Sequence, residues 1–184
     1  MPYLLDKAPV SFRTRPVLFI DLEFTGLDPA IHEIVEIAAL VVSQPNFEIT
    51  NSYYTKVTPE HIATADPKAL RIINYSPQSW SGSISLSQAL TEVSALAPDC
   101  LLAGWGVQNE WDFLNANLSR LNLPYFYSHH LLEISTLAFA KLYSNPQVQF
   151  LNLKRVADYY KIPLDHHKPD SDIRATYEIF KKLI

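Results

Sequence analysis

The chain has 184 residues, 48% of them hydrophobic and 12% aromatic, with a formal net charge of −4. That length suits one domain with its own core. The acidic balance excludes a general basic coat, and with it tight nonspecific duplex binding through many phosphate contacts, while leaving room for a small basic groove. Cys100 is the only cysteine, so no internal disulfide forms and a reducing, cytoplasmic setting is expected. No apolar run is long enough to span a membrane.

Met1 to Arg15 carries Asp6, Lys7, Arg13 and Arg15 among short apolar pieces and lacks a continuous signal-peptide core. It is expected to be an N-terminal arm, with residues 16–184 forming a single domain. Pro16 to Phe24 reads as a strand, because Val17 to Ile20 are apolar and β-prone. Asp21 and Glu23 interrupt that run. Side chains two apart on a strand share a face, so these carboxylates lie close together beside the Thr25-Gly26 turn. Clustered carboxylates resist joint ionisation unless a cation binds them, and a hard divalent ion such as Mg²⁺ or Mn²⁺ suits oxygen donors. The structural alternative is a strand running out to solvent with its acids on the exposed end.

Glu33 to Ser43 and Glu48 to Val57 read as two further strands, joined by Gln44-Pro45-Asn46-Phe47 as an antiparallel hairpin. Pro67 to Asn74 is expected to be a short helix. Ser85 to Leu96 is a second, with Leu86, Ala89, Leu90 and Val93 on one face. Cys100 to Ala103 is a buried strand leading into Gly104, and Glu110 to Leu121 a central helix carrying Phe113, Leu114, Leu118 and Leu121. Leu131 to Ile134 is the expected last strand, followed by helices from Ser135 to Tyr143, Asn152 to Tyr160 and Asp170 to Leu183. Pro169 and Asp170 suit the last helix start. Asp172 then falls in its first turn and His167 in the loop before it. Taken singly, a histidine is more often a surface residue and an acid at a helix start a cap. Strands followed by strand–helix alternation imply an α/β fold with a mixed sheet flanked by helices.

The run Asp21-Leu22-Glu23-Phe24-Thr25-Gly26-Leu27, taken with His167 and Asp172 five residues apart, resembles the DEDD superfamily of 3′–5′ exonucleases. The histidine spacing is similar to that of its His-containing (DEDDh) branch, which includes the proofreading exonuclease of bacterial replicative polymerase, ribonuclease T and oligoribonuclease. His32 to Ala38 resembles the family's second strand. The resemblance runs from about Pro16 to the C-terminus. It implies a ribonuclease H-like five-stranded sheet in the order 3-2-1-4-5. It also implies removal of nucleotides from the 3′ end of single-stranded DNA or RNA, with two divalent ions, Mg²⁺ or Mn²⁺.

The middle motif departs from the family, which usually places an Asp three residues before Phe-Leu. Counting back from Phe113-Leu114 reaches Glu110, whereas Asp112 needs a two-residue shift. Helix geometry separates the two acids. Glu110 lies four before Leu114 on the apolar stripe, while Asp112 sits roughly 200° around from Leu114. Glu110 is therefore expected as the third carboxylate, with Asp112 the alternative.

Phosphodiester cleavage by two metals activates a water and stabilises the leaving oxygen. Asp21 is expected to bridge both metals, Glu23 and Asp172 to complete one site and Glu110 the other. His167 is expected to take the proton from the attacking water, its unperturbed pKa of about 6.5 suiting that task. His166 is one residue too far from Asp172 to match the motif, and His129 and His130 read as loop or surface residues. The resemblance implies that the turn Phe24, Thr25, Gly26, Leu27 holds the terminal nucleotide: the backbone of Phe24 and Thr25 meets its sugar hydroxyl, and Phe24 and Leu27 pack against bases. The alternative makes Phe24 a core residue. Trp105 and Trp111 flank the middle motif, as base-stacking or buried residues. Two other function classes stay open: a catalytically silent nucleic-acid-binding domain, and a proofreading-type subunit with a polymerase partner. The sequence leaves DNA versus RNA, and monomer versus homodimer, undecided.

Overall fold

The structure is a computed structural model that describes residues 10–165 and 168–184. Five strands form one sheet: β1 (Val17–Phe24), β2 (Ile34–Val42), β3 (Ile49–Lys56), β4 (Cys100–Gly104) and β5 (Tyr127–Glu133). Their order is β3-β2-β1-β4-β5, as the family resemblance implied. β1, β2 and β3 pair antiparallel, whereas β4 runs parallel to β1 and β5 parallel to β4. Six helices follow the expected order: α1 (Pro67–Ile72), α2 (Leu86–Leu96), α3 (Gln108–Arg120), α4 (Ile134–Leu142), α5 (Leu153–Tyr160) and α6 (Pro169–Leu183).

The central strands are apolar on both faces because both are covered. β2 is buried along its whole length. Leu18, Ile20 and Leu22 of β1 pack into one core with Leu90 and Val93 of α2 and Phe113, Leu114 and Leu118 of α3. Val17 and Phe19 point the other way, into a second core with α4, α5 and α6. Phe19 meets Tyr177 and Phe180 of α6 edge-on, at ring-centroid distances of 5.6 and 5.4 Å. These contacts lock α6 across β1 and so fix where its first turn lies.

Most boundaries fall within a residue or two of the expected ones, and Ser85 and Asn152 act as N-caps. Two differ in an instructive way. α3 starts at Gln108, before Glu110. β5 begins at Tyr127, four residues earlier than the pattern predicts, and Ile134 belongs to α4. Tyr127 to His130 are polar or aromatic because β5 is an edge strand with a neighbour on one side only, so periodicity does not mark its start. His129 and His130 are surface residues, on this strand rather than in a loop.

Near the start of the described residues, Gln44 Nε2 donates to the carbonyls of Phe12 and Arg15, 2.7 Å each, and Arg15 pairs with Asp99 at 2.7 Å. Among the described residues, no helix is long and apolar enough to cross a membrane.

Candidate active site

β1 and β4 pair from Val17 opposite Leu101 to Phe19 opposite Ala103. Asp21 and Glu23 lie beyond it on β1, toward the carboxyl ends of the parallel strands, where open α/β sheets commonly bind ligands. Both continue the face of Phe19, beneath α6. Asp172, in the first turn of α6, is buried there. Glu110, in the first turn of α3, is buried from the other side of the sheet, 7% exposed. Its Oε2 is buried with no hydrogen-bond partner among the described residues.

The electrostatics show how these acids converge. The carboxyl of Asp21 is held well above the ordinary carboxylate range, first by burial and then by Glu110, Asp172, Glu23 and Glu36. Burial, then Glu36 and Asp172, raises Glu23 to about 7. Burial lifts Glu110 to about 8; Glu133 and Glu23 add to this, while the backbone N–H groups of Glu110 itself and of Leu22 partly offset it. Four acids from β1, α3 and α6 thus raise the electrostatic cost of charge in one neighbourhood. A divalent ion answers that excess charge, and the all-oxygen donor set suits Mg²⁺ or Mn²⁺. Among the described residues no three candidate ligands already stand at metal-binding spacing, so a bound ion would draw the carboxylates inward.

The two candidates for the third carboxylate separate sharply. Glu110 is buried and its charge bears on Asp21, whereas Asp112 is exposed and its Oδ1 accepts a 3.0 Å bond from Gln108 Nε2. His167, the expected base, and its neighbour His166 lie outside the described residues.

The turn after Glu23 forms one wall of a cleft of about 230 Å³, lined by Glu23, Phe24, Gly26 and Leu27 with Lys68 and Ile72 of α1. Leu27 is 83% exposed there. Phe24 stacks on Phe113 at 3.9 Å, so its ring serves the core as well as the cleft. Thr25 is fully buried; its N–H donates to the Glu33 carbonyl, its carbonyl accepts from Asp66 N–H, and its hydroxyl accepts from Glu33 N–H. Trp105 and Trp111 are half-buried against the two cores.

Two further acids belong to this neighbourhood that the sequence reading did not assign. Glu36 on β2 is buried and accepts a 2.6 Å bond from the Tyr54 hydroxyl. A lone acid inside the apolar run Ile34 to Val42 was its visible signal. Glu133, at the end of β5, lies beside Glu110. Its link to this neighbourhood had no sequence signal, because it runs through the backbone N–H groups of Gly106 and Val107, 27 and 26 residues away.

A family model described as exonuclease, RNase_T, matches residues 18–180. The DNA polymerase III PolC-type proteins of Thermotoga maritima and Latilactobacillus sakei are 24% and 26% identical over 180 and 189 residues, covering 95% and 97% of this chain. The chain spans only 12% of the length of either polymerase. Among solved structures, E. coli Exonuclease I in complex with a dT13 oligonucleotide superposes with a TM-score of 0.78 at 16% identity, covering 92% of this chain and 41% of that one. The nuclease domain of 3′hExo, a DEDDh family member bound to rAMP, superposes with a TM-score of 0.72 at 19% identity, over 92% of both chains. Because that family model matches residues 18–180 of the 184, the chain belongs to the exonuclease family.

Proposed function

We propose that this chain is a metal-dependent 3′→5′ exonuclease that removes nucleotides from the 3′ end of single-stranded DNA or RNA. The observation that carries the reading is the convergence of four mutually repelling carboxylates near the end of β1, Asp21 and Glu23 half-buried and Glu110 and Asp172 buried. Asp21, Glu23, Glu110 and Asp172 are the residues that would hold the two ions. Bound Mg²⁺ or Mn²⁺ would supply Lewis acidity at the phosphate and lower the pKa of the attacking water.

The chain's own groups do the rest. The cleft between Leu27 and Ile72 is open beside Glu23 and apolar enough to hold a terminal base of any identity. Phe24, Gly26 and Leu27 would contact the nucleotide, with Thr25 holding their turn in shape. His167, five residues before Asp172, would accept the proton of the attacking water.

Digestion of end-labelled single-stranded DNA and RNA tests the proposal. Nucleotides should be released from the 3′ end with Mg²⁺ or Mn²⁺, not in EDTA, and a blocked 3′ end should slow the reaction. Release from the 5′ end, or full activity in EDTA, would refute it. A second reading, proofreading in company with a polymerase, is favoured by the similarity to PolC-type polymerases, which contain a matching stretch. A polymerase captured by this chain, and stimulation of digestion at mismatched primer ends, would support it. A catalytically silent domain, suggested by the departure at the middle motif, is disfavoured because Glu110 is buried and its charge bears on Asp21.

A further inference from the structure

Glu133, the last residue of β5, has its carboxylate surrounded by backbone donors. Oε1 accepts from Gly106 N–H at 2.9 Å and from Ser135 N–H at 3.0 Å, and Oε2 accepts from Val107 N–H at 2.9 Å. The Ser135 bond caps α4. The other two hold the turn between β4 and α3. α3 needs such a hold, because its N-cap residue is Val107, which makes no side-chain cap bond. Gly106 stands at φ +78°, in the left-handed region, so the turn is a sharp one that the chain does not adopt by default. Glu110 follows within the first turn of α3.

We propose that Glu133 is a positioning residue for catalysis: by clamping the Gly106–Val107 turn from a neighbouring strand, it fixes the start of α3 and aims Glu110 at Asp21. This rests on the reading of Glu110 as the third metal-binding carboxylate. Glu133 is not itself a ligand in this scheme, because both oxygens are taken up by N–H groups. An amide is a poor replacement, since its one oxygen has two lone pairs for three N–H donors and its NH₂ would face one of them.

The test compares Glu133→Gln, Gly106→Ala and Glu110→Gln in the full chain. Three quantities are followed: kcat and KM on end-labelled single-stranded DNA, Mn²⁺ binding by calorimetry, and the cooperativity of melting. Glu133→Gln is expected to lower kcat roughly 10–100-fold, the range for losing an outer-shell partner, with KM little changed. It should also weaken one Mn²⁺ binding event while melting stays cooperative. Gly106→Ala should act in the same direction, because it moves the same turn without removing a carboxylate; no atom lies near the added methyl, so only the backbone is perturbed. Should Glu133→Gln fail to fold, Gly106→Ala decides alone. Wild-type kcat and unchanged Mn²⁺ binding in the folded variants, alongside an inactive Glu110→Gln, would overturn the positioning role and leave the site reading intact. An active Glu110→Gln would overturn both.

Discussion

Glu23 on β1 and Glu36 on β2 are direct cross-strand partners, two acids paired in register across an antiparallel ladder. Like charges directly opposite destabilise a sheet. Here the Tyr54 hydroxyl, 2.6 Å from Glu36 Oε2, steadies one member of the pair, and burial first, then Glu36 and Asp172, raises Glu23 to about 7. The acids that make the cleft useful also make the metal-free fold strained.

The pH dependence of stability follows from that strain. Glu23 and Glu110 have folded pKa values of about 7 and about 8 against an ordinary 4.5. Between these limits the folded state binds more protons than the unfolded one, so stability falls as pH rises. The contribution is fully present below about 4.5 and lost as pH climbs through 7 to 8. In EDTA, the melting temperature should drop from pH 5 to pH 8.5. Mg²⁺ or Mn²⁺ should raise it far more at pH 8 than at pH 5. A metal-free melting temperature that is level or rising across that window would contradict the raised values.

Tyr54 offers a way to separate Glu36 from the metal ligands. Tyr54→Phe removes the only hydroxyl bonded to the Glu36 carboxylate among the described residues. The bond is charge-assisted but Tyr54 is 48% exposed, so the loss should be roughly 1–2 kcal/mol. Urea unfolding at pH 7 measures it, and a change within error would show that water replaces the phenol at no cost.

Glu110 and Asp112 should behave oppositely. Glu110→Gln is expected to nearly abolish nuclease activity, because it removes a buried charge that bears on Asp21. Asp112→Asn should leave most of it, since Asp112 is exposed and bonded to Gln108. Steady-state kinetics of the two variants decide, and the reverse pattern would place the third ligand on Asp112.

His167→Ala should lower turnover by roughly 10²–10⁴-fold, the usual loss on removing a general base, while Mn²⁺ binding largely survives. His166→Ala should do far less. Equal losses would mean that spacing to Asp172 does not identify the base.

Gly26 is the most crowded point of the turn after β1. A Cβ there would lie 2.4 Å from the His32 ring, whose Nδ1 accepts the Asp28 N–H at 3.0 Å. Gly26→Ala should push His32 aside and displace Leu27, raising KM several-fold. Leu27→Ala, exposed and free to change, should raise KM without altering the melting temperature. An unchanged KM in both would remove this turn from the substrate site.

The α/β class and the element order were legible from local sequence, because hydrophobic periodicity and caps such as Ser85 and Asn152 act over a few residues. Asp21 and Glu23 were visible for the same reason: two acids on one face of an apolar strand cannot be explained by packing. The separation of Glu110 from Asp112 was also latent in the helical period, since Phe113 and Leu114 fix which side of α3 is buried. The strand order came from the family resemblance, because pairing depends on contacts between residues far apart in the chain. Tertiary structure alone revealed that Thr25 is spent on the loops around it, that Glu36 faces Glu23, and that Glu133 holds the turn before α3 across 26 and 27 residues of chain. Those relations join side chains to backbone groups or to residues of other strands, and such partners carry no side-chain signature and no fixed spacing. The sequence could name the acids that repel one another; only the packing of α3 and α6 on opposite faces of β1 decides that Glu110 and Asp172 reach the same point.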